Sequence, residues 1–244
     1  MTKLYETKNH ILIHTGYADP LAHRHMAAHI IIAMAGKIRI TADNKTFSCH
    51  GIMIPSGKLH QVDTNNTPVL VFLYDNTTCV ANRIKQIQTI PETHCLKIAQ
   101  LYEGMEKSPE KNCYLNFEKN CLKELGLENA VSCITDERIR SAINKIRSAL
   151  SEKITCREVA DSIFLSQGRF SHLFRQQTGM TFSSYVIYQR LLSVYTQLLK
   201  GKTITEAALE AGFSSPSHFA DVNRRIFGLS ATNITRNLHF IKIE

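Results

Sequence analysis

The chain has 244 residues, 43% of them hydrophobic and 20% charged, with a formal net charge of +8. That length allows one large or two modest domains, and that composition excludes a disordered chain. The longest apolar run, HIIIAMAG, is far short of the roughly 20 residues a membrane helix needs, and the N-terminus MTKLYETKNH lacks a signal-peptide core, so the cytoplasm is the expected compartment.

The first 80 residues read as strands. LAHRHMAAHIIIAMAG places His23, His25 and His29 ahead of an apolar run, and KIRITADNKTF sets two β-prone runs around the turn former Asp43-Asn44, a hairpin signal. GIMIPSGKLH reads as a short strand followed by a Pro/Gly turn, and PVLVFLYD as a β-branched, aromatic strand. Seven cysteines (Cys49, Cys79, Cys95, Cys113, Cys121, Cys133 and Cys156) are scattered with no CxxC pair, which fits reduced thiols better than a disulfide framework.

From about Asn82 the period becomes helical. Ala81 to Leu101 and about Glu118 to Leu127 carry apolar residues at mixed three- and four-residue spacings, such as Ile84, Ile87, Ile98 and Leu101. The polar stretch EGMEKSPEKNCYLNFEKN, with Pro109, reads as a loop or short linker helix. Beyond it, Ile139, Ile143, Ile146 and Leu150 form one helical stripe. The expected division is therefore 1–81 β-rich, 82–135 helical connector and 136–244 all-helical.

The C-terminal part is also the basic part. From Asp136 onward 15 Lys and Arg stand against 9 Asp and Glu, whereas residues 1–135 hold 14 against 12. The same part contains a weak repeat: Phe170 and Phe219, Arg175 and Arg224, Gly179 and Gly228, and Thr181 and Ser230 are each 49 residues apart. In the first copy Thr155 caps a short helix running to about Phe164. A turn follows at Leu165-Ser166, and a second helix runs to Gln177 before Gly179. In the second copy Thr205 begins a short helix, Gly212-Phe213-Ser214 turns, Pro216 opens the next helix and Gly228 follows it. Short helix, turn and second helix, made twice at about 155–179 and 204–228, is a helix-turn-helix pattern. A structural αα-hairpin would fit one copy, but it does not need a repeatedly cationic second helix.

VADSIFLSQGRFSHLFRQQTGMTFSSYVIYQRL in the first copy, and ITEAALEAGF with HF and RRIFG in the second, resemble the DNA-binding domain of the AraC family of transcription regulators. The resemblance covers about 110 C-terminal residues. It implies seven helices, with Thr181 to Leu199 linking two motifs whose second helices enter successive major grooves of double-stranded DNA. It assigns Gly168, Ser171 and His172 as base-facing in the first motif, with Arg169 and Arg175 as groove or phosphate contacts. In the second it assigns Ser217, Ala220 and Asp221 as base-facing, beside His218, with Arg224 and Arg225 on the backbone. Three departures fall in the second motif: Asp221 replaces a long cationic or amide side chain, Asn223 an apolar residue facing the core, and Ala231 a proline. Ala207 also replaces a larger aliphatic. The first motif is therefore expected to carry most sequence readout, with the second giving backbone contacts or needing a partner to settle.

Members of this family often carry a cupin-type β-barrel ahead of the DNA-binding domain, and the N-terminal half resembles one. His23, His25 and Gly36 meet the first cupin pattern, with His29 in place of its acid; Pro55, Gly57 and His60 meet the second. The resemblance assigns His23, His25, His29 and His60 as the pocket. Four imidazoles suit Zn, Cu, Ni or Fe rather than Mg or Ca. An organic effector against a polar wall, or no ligand at all, are the alternatives. Cys49, beside His50, is a further thiol candidate.

The fold class expected is thus a mainly-β cupin-like barrel followed by an all-α double helix-turn-helix domain. The expected function is a ligand-controlled transcription regulator, of the activator kind commoner in the family, with DNA, an effector and RNA polymerase as partners. The connector points to a homodimer, or else simply covers the barrel. No acid occupies the cupin acid position and no catalytic arrangement is legible, so an enzyme is not expected. A metal-dependent cupin enzyme fused to a DNA-binding module and a thiol redox sensor are the competing readings.

Overall fold

Asp43 and Asn44 both take left-handed backbone angles, φ +48° and +61°, the geometry of a two-residue hairpin turn that matches strand twist. They join β4 (Ile38–Ala42) to β5 (Lys45–Cys49), as the sequence predicts. The computed structural model describes residues 2–7, 10–16, 21–24, 27–108, 110–128, 134–152, 154–227 and 238–243. The remaining strands are β1 (Thr2–Glu6), β2 (His10–Thr15), β3 (Ala27–Ala33), β6 (Gly51–Ile54), β7 (His60–Asp63), β8 (Val69–Asp75), β9 (Gln88–Ile90) and β10 (Leu238–Lys242). Seven form one sheet in the order β10-β1-β2-β8-β3-β6-β9, and three form a second, β5-β4-β7.

The nine described helices are α1 (Cys79–Arg83), α2 (Glu92–Glu106), α3 (Lys111–Glu124), α4 (Glu137–Ser148), α5 (Cys156–Ser162), α6 (Gln167–Thr178), α7 (Phe182–Leu199), α8 (Ile204–Glu210) and α9 (Pro216–Phe227). Two compact units result: Met1–Val131 with Arg225–Glu244, and Ser132–Arg224. None of the described helices is long and apolar enough to cross a membrane.

In the first unit, side-chain alternation divides the large sheet into two faces. Ala28, Ile30 and Ile32 of β3, and Leu70, Phe72 and Tyr74 of β8, join one core with Ile98 and Tyr102 of α2 and Tyr114 and Phe117 of α3. His29 and Ile31 therefore point to the opposite face. The helix pair is also fastened by polar contacts. The Tyr5 and Tyr102 hydroxyls lie 3.2 Å apart, His10 Nε2 is 2.7 Å from the Tyr114 hydroxyl, and Tyr74 donates to Glu118.

One expectation is corrected here. The helical period does not run unbroken from Asn82, because Gln88–Ile90 pair with β6 as an edge strand and Pro91 opens the next helix. Of the two readings of the EGMEKSPEKNCYLNFEKN stretch, the helical one holds: it ends α2 and begins the 14-residue α3, whose Tyr114, Phe117 and Cys121 are buried. Three apolar positions at helical spacing outweigh a polar mean, since only the buried face needs to be apolar.

In the second unit, α4 buries Ile139, Ile143 and Ile146 as predicted. Thr155 caps α5 in a reciprocal capping box with Glu158. The second copy starts earlier than the sequence suggests: Thr203, not Thr205, caps α8, because Glu206 three residues on closes the same box. Six described helices lie between Glu137 and Phe227, and Leu238–Lys242 form a strand, β10. β10 runs parallel to β1, from Thr2↔Leu238 to Glu6↔Lys242.

Candidate nucleic-acid interface and ligand pocket

Helix α6 is built to present one polar face. The Ser166 hydroxyl accepts from the Arg169 amide at its start, and Gly179, at φ +72°, closes its end. Phe170, Leu173 and Phe174 are buried, the last packed edge-on against Tyr185 of α7. That burial turns Gly168, Arg169, Ser171, His172 and Arg175 outward, and all five are exposed. A Cβ at Gly168 would meet nothing within 4 Å, so the backbone there is open to close approach.

Helix α9 repeats the plan. Pro216 fills its first turn, and the Ser215 hydroxyl accepts from the His218 amide. Phe219, Val222, Asn223 and Ile226 face inward, while Ser217, His218, Ala220, Asp221, Arg224 and Arg225 are exposed. Among the described residues no ion pair engages Arg169, Arg175, Arg224 or Arg225, so these cations remain available to an anion. His218 already has local work: its Nδ1 lies 3.0 Å from the Ser214 hydroxyl and its ring packs edge-on against Phe213.

Asn223 finds its partner within the chain. It is fully buried and accepts a hydrogen bond from the Tyr195 hydroxyl of α7, so its polar group is settled without a second molecule. Ala207 is fully buried where α8 packs on α7; its small side chain fits that close approach. Gly228, Ser230 and Ala231 lie outside the described residues. Sequence reasoning missed Cys156, whose sulfur is 3.3 Å from the Ser171 hydroxyl on the exposed face of α6.

In the β-rich unit, His23, His29 and His60 come together. His29 faces away from the helix pair, and His60 opens β7 of the small sheet. His23 forms an isolated antiparallel bridge with His60, each amide donating to the other's carbonyl at 2.9 Å. The His60 ring centre lies 4.4 Å from that of His23 and 4.4 Å from that of His29. His29 on the large sheet thus meets His60 on the small one.

His23 Nδ1 is 2.9 Å from the Leu21 carbonyl and His60 Nδ1 is 2.9 Å from the Lys58 carbonyl. A carbonyl only accepts, so both Nδ1 atoms carry hydrogen and both Nε2 atoms present lone pairs. Burial lowers the His23 pKa and, with His23 alongside, brings His60 down to about 4, so both rings are neutral at pH 7. This donor chemistry suits a transition metal. Even so, among the described residues no group of three His, Cys, Asp or Glu side chains is arranged to hold one. His25 lies outside the described residues.

The thiols contrast with these imidazoles. Burial raises the Cys49 thiol and takes Cys95 up to about 12, so neither forms the reactive thiolate near neutral pH.

A helix-turn-helix domain model matches residues 159–237. That match spans the end of α5 through α9, the two polar-faced helices included. This C-terminal region is of the AraC helix-turn-helix type. The chain is 37% identical over 91 residues to a probable transcriptional regulator, LumQ of Photobacterium leiognathi, covering 36% of each chain. It is 27% identical over 153 residues to the transcriptional activator RhaS of Escherichia coli, covering 57% of this chain and 53% of that one. The chain spans only about a third of the length of the first curated relatives it matches. Among solved structures, apo ToxT of Vibrio cholerae superposes with a TM-score of 0.60 over 94% of this chain and 97% of its own, at 10% identity. That likeness concerns the fold, a β-rich unit followed by a helical AraC-type unit. ToxT has also been solved bound to an unsaturated fatty acid.

Proposed function

We propose that this protein is a sequence-specific, double-stranded DNA-binding transcription regulator whose DNA binding is controlled by a ligand of its β-rich unit. The observation that carries the reading is the duplicated motif: two capped helices, each with its apolar side buried and its cationic side exposed. Two such helices read successive major grooves, and their arginines neutralise phosphates. In α6, Arg169 and His172 supply the base-edge readout, with Gly168 allowing close approach and Ser171 and Arg175 beside them. In α9, Asp221 accepts only from a donor such as cytosine N4, so Arg224 and Arg225 contribute chiefly to the backbone.

Control comes from the pocket around His23, His29 and His60, and the preferred ligand is an organic effector. A transition metal is the second reading, favoured by the carbonyl-fixed tautomers of His23 and His60. RNA polymerase is the partner through which activation would act, and no catalytic step is assigned.

Selection of binding sites from a random duplex pool tests the division of labour. Arg169→Ala with His172→Ala should relax or abolish the selected sequence. Arg224→Ala should weaken every duplex alike, by about 1 kcal/mol. Equal effects from the two sets would remove the proposed readout. Elemental analysis of untagged protein, with and without His60→Gln, decides between metal and organic effector.

A further inference from the structure

The segment between α1 and β9 and the end of α3 leave a cleft of about 320 Å³, away from the histidine cluster. Its floor is apolar: Met53, Ile84 and Leu127 are all buried. Arg83, Lys85, Gln86 and Gln88 stand around it, all exposed. Among the described residues lining the cleft there is no acidic side chain, and no ion pair engages Lys85. The rim therefore carries two positive charges and two amides over an apolar base.

We propose that this cleft is an effector site for a small monoanion with an apolar body, such as an aryl carboxylate. The proposal rests on the reading of the β-rich unit as a sensor. Three observations select that class. The volume is at the lower end of small-molecule sites, enough for a compact ligand and too small for a nucleotide or a peptide. The apolar floor rewards burial of a hydrocarbon portion. The uncompensated cations reward one negative charge and reject a positive one.

The position gives such a ligand something to control. An Arg83 guanidinium nitrogen donates to the backbone carbonyl of Glu128, the last described residue before the chain passes to the helical unit that begins at Ser132. An anion at Arg83 competes with that carbonyl, and its apolar body rests on Leu127 next door. Occupancy thus reports directly to the stretch of chain that joins sensing to DNA binding.

A charge series on one tail tests the assignment. Calorimetric titration of the full chain with 4-phenylbutyrate should show saturable binding at one site. The alcohol 4-phenylbutan-1-ol should bind about tenfold or more weakly, and 4-phenylbutylamine should not bind. Lys85→Ala should remove most of the difference between acid and alcohol, while His60→Gln leaves it unchanged. Amide exchange at Leu125 to Glu128 should slow with the acid present. Absence of saturable binding, equal affinity across the series, or indifference to Lys85→Ala and Arg83→Ala each overturns the proposal. DNA affinity measured without ligand keeps the two readings apart. If it is intact while the acid fails to bind, only this site falls; if it is lost, the regulator reading falls instead.

Discussion

Phe164 and Gly212 occupy the same turn of the two motifs, 48 residues apart, and both adopt left-handed backbone, φ +58° and +87°. A phenylalanine there is strained by about 1–2 kcal/mol, and Phe164 is 95% exposed, so no packing offsets it. Phe164→Gly should therefore leave the melting temperature of the helical unit unchanged or raise it. Gly212→Ala should do the reverse, because its Cβ would meet the Leu150 carbonyl at 2.7 Å and the Arg190 side chain at 2.8 Å. A loss of about 2 kcal/mol or more in a denaturant titration is expected there. The pair Asn223–Tyr195 makes a second residue-scale test: Asn223→Ala removes the acceptor of a buried hydroxyl and should cost about 1–3 kcal/mol. With Tyr195→Phe in the background most of that loss should disappear. Asn223 was legible as an oddity in the sequence, but its partner 28 positions away was not, since nothing local marks a tyrosine as a donor. The outward-facing residues of α6 and α9 were legible, because their buried counterparts repeat at helical spacing and the repeat itself aligns them.

At the scale of elements, the hairpin at Asp43-Asn44, the stripe of α4 and the capping box at Thr155 follow from rules that act within ten residues. The element that was misread, β9, and the full length of α3 depend on distant neighbours: the three-residue strand pairs with the edge of β6, and α3 covers the sheet face. The buried stripes of α2 and α3 pack on that face. Their polar fastening predicts a pH response. Burial lowers His10 to about 3 and His60 to about 4, below the ~6.5 of an exposed histidine. The folded state then binds fewer protons than the unfolded one between those values, so stability is full above pH 6.5 and falls as the pH drops. Glu118, raised by burial, works the other way, releasing stability as pH rises through its pKa. With two strongly lowered histidines the former dominates. Thermal unfolding of the β-rich unit should lose about 2 kcal/mol per histidine between pH 7 and pH 5, and His10→Gln should flatten the slope. A pH-independent midpoint would contradict the burial of both rings.

For the whole molecule, a β-rich N-terminal region followed by helices was legible from the change of period. The return of the chain end to the β-rich unit was not. β10 adds to the edge at β1, Ile243 donates its amide to the Glu6 carbonyl, and its side chain enters the core that α2 and α3 share. Ending the chain at Asn237 should therefore lower the midpoint of the β-rich unit while leaving that of the helical unit in place, measured by differential exchange of β1 and α7 amides. The pocket histidines were half legible: motif spacing singled them out, but only the Leu21 and Lys58 carbonyls beside His23 and His60 show which nitrogen those two rings present. What remains decisive is DNA binding itself. Affinity for a selected duplex, measured from low to moderate salt, should fall along a straight line in log Kd against log salt. Its steepness should correspond to several phosphates at about 0.9 each, and Arg224→Ala should reduce it by about one. A salt-independent complex, or a slope untouched by Arg169, Arg175, Arg224 and Arg225, would contradict the account.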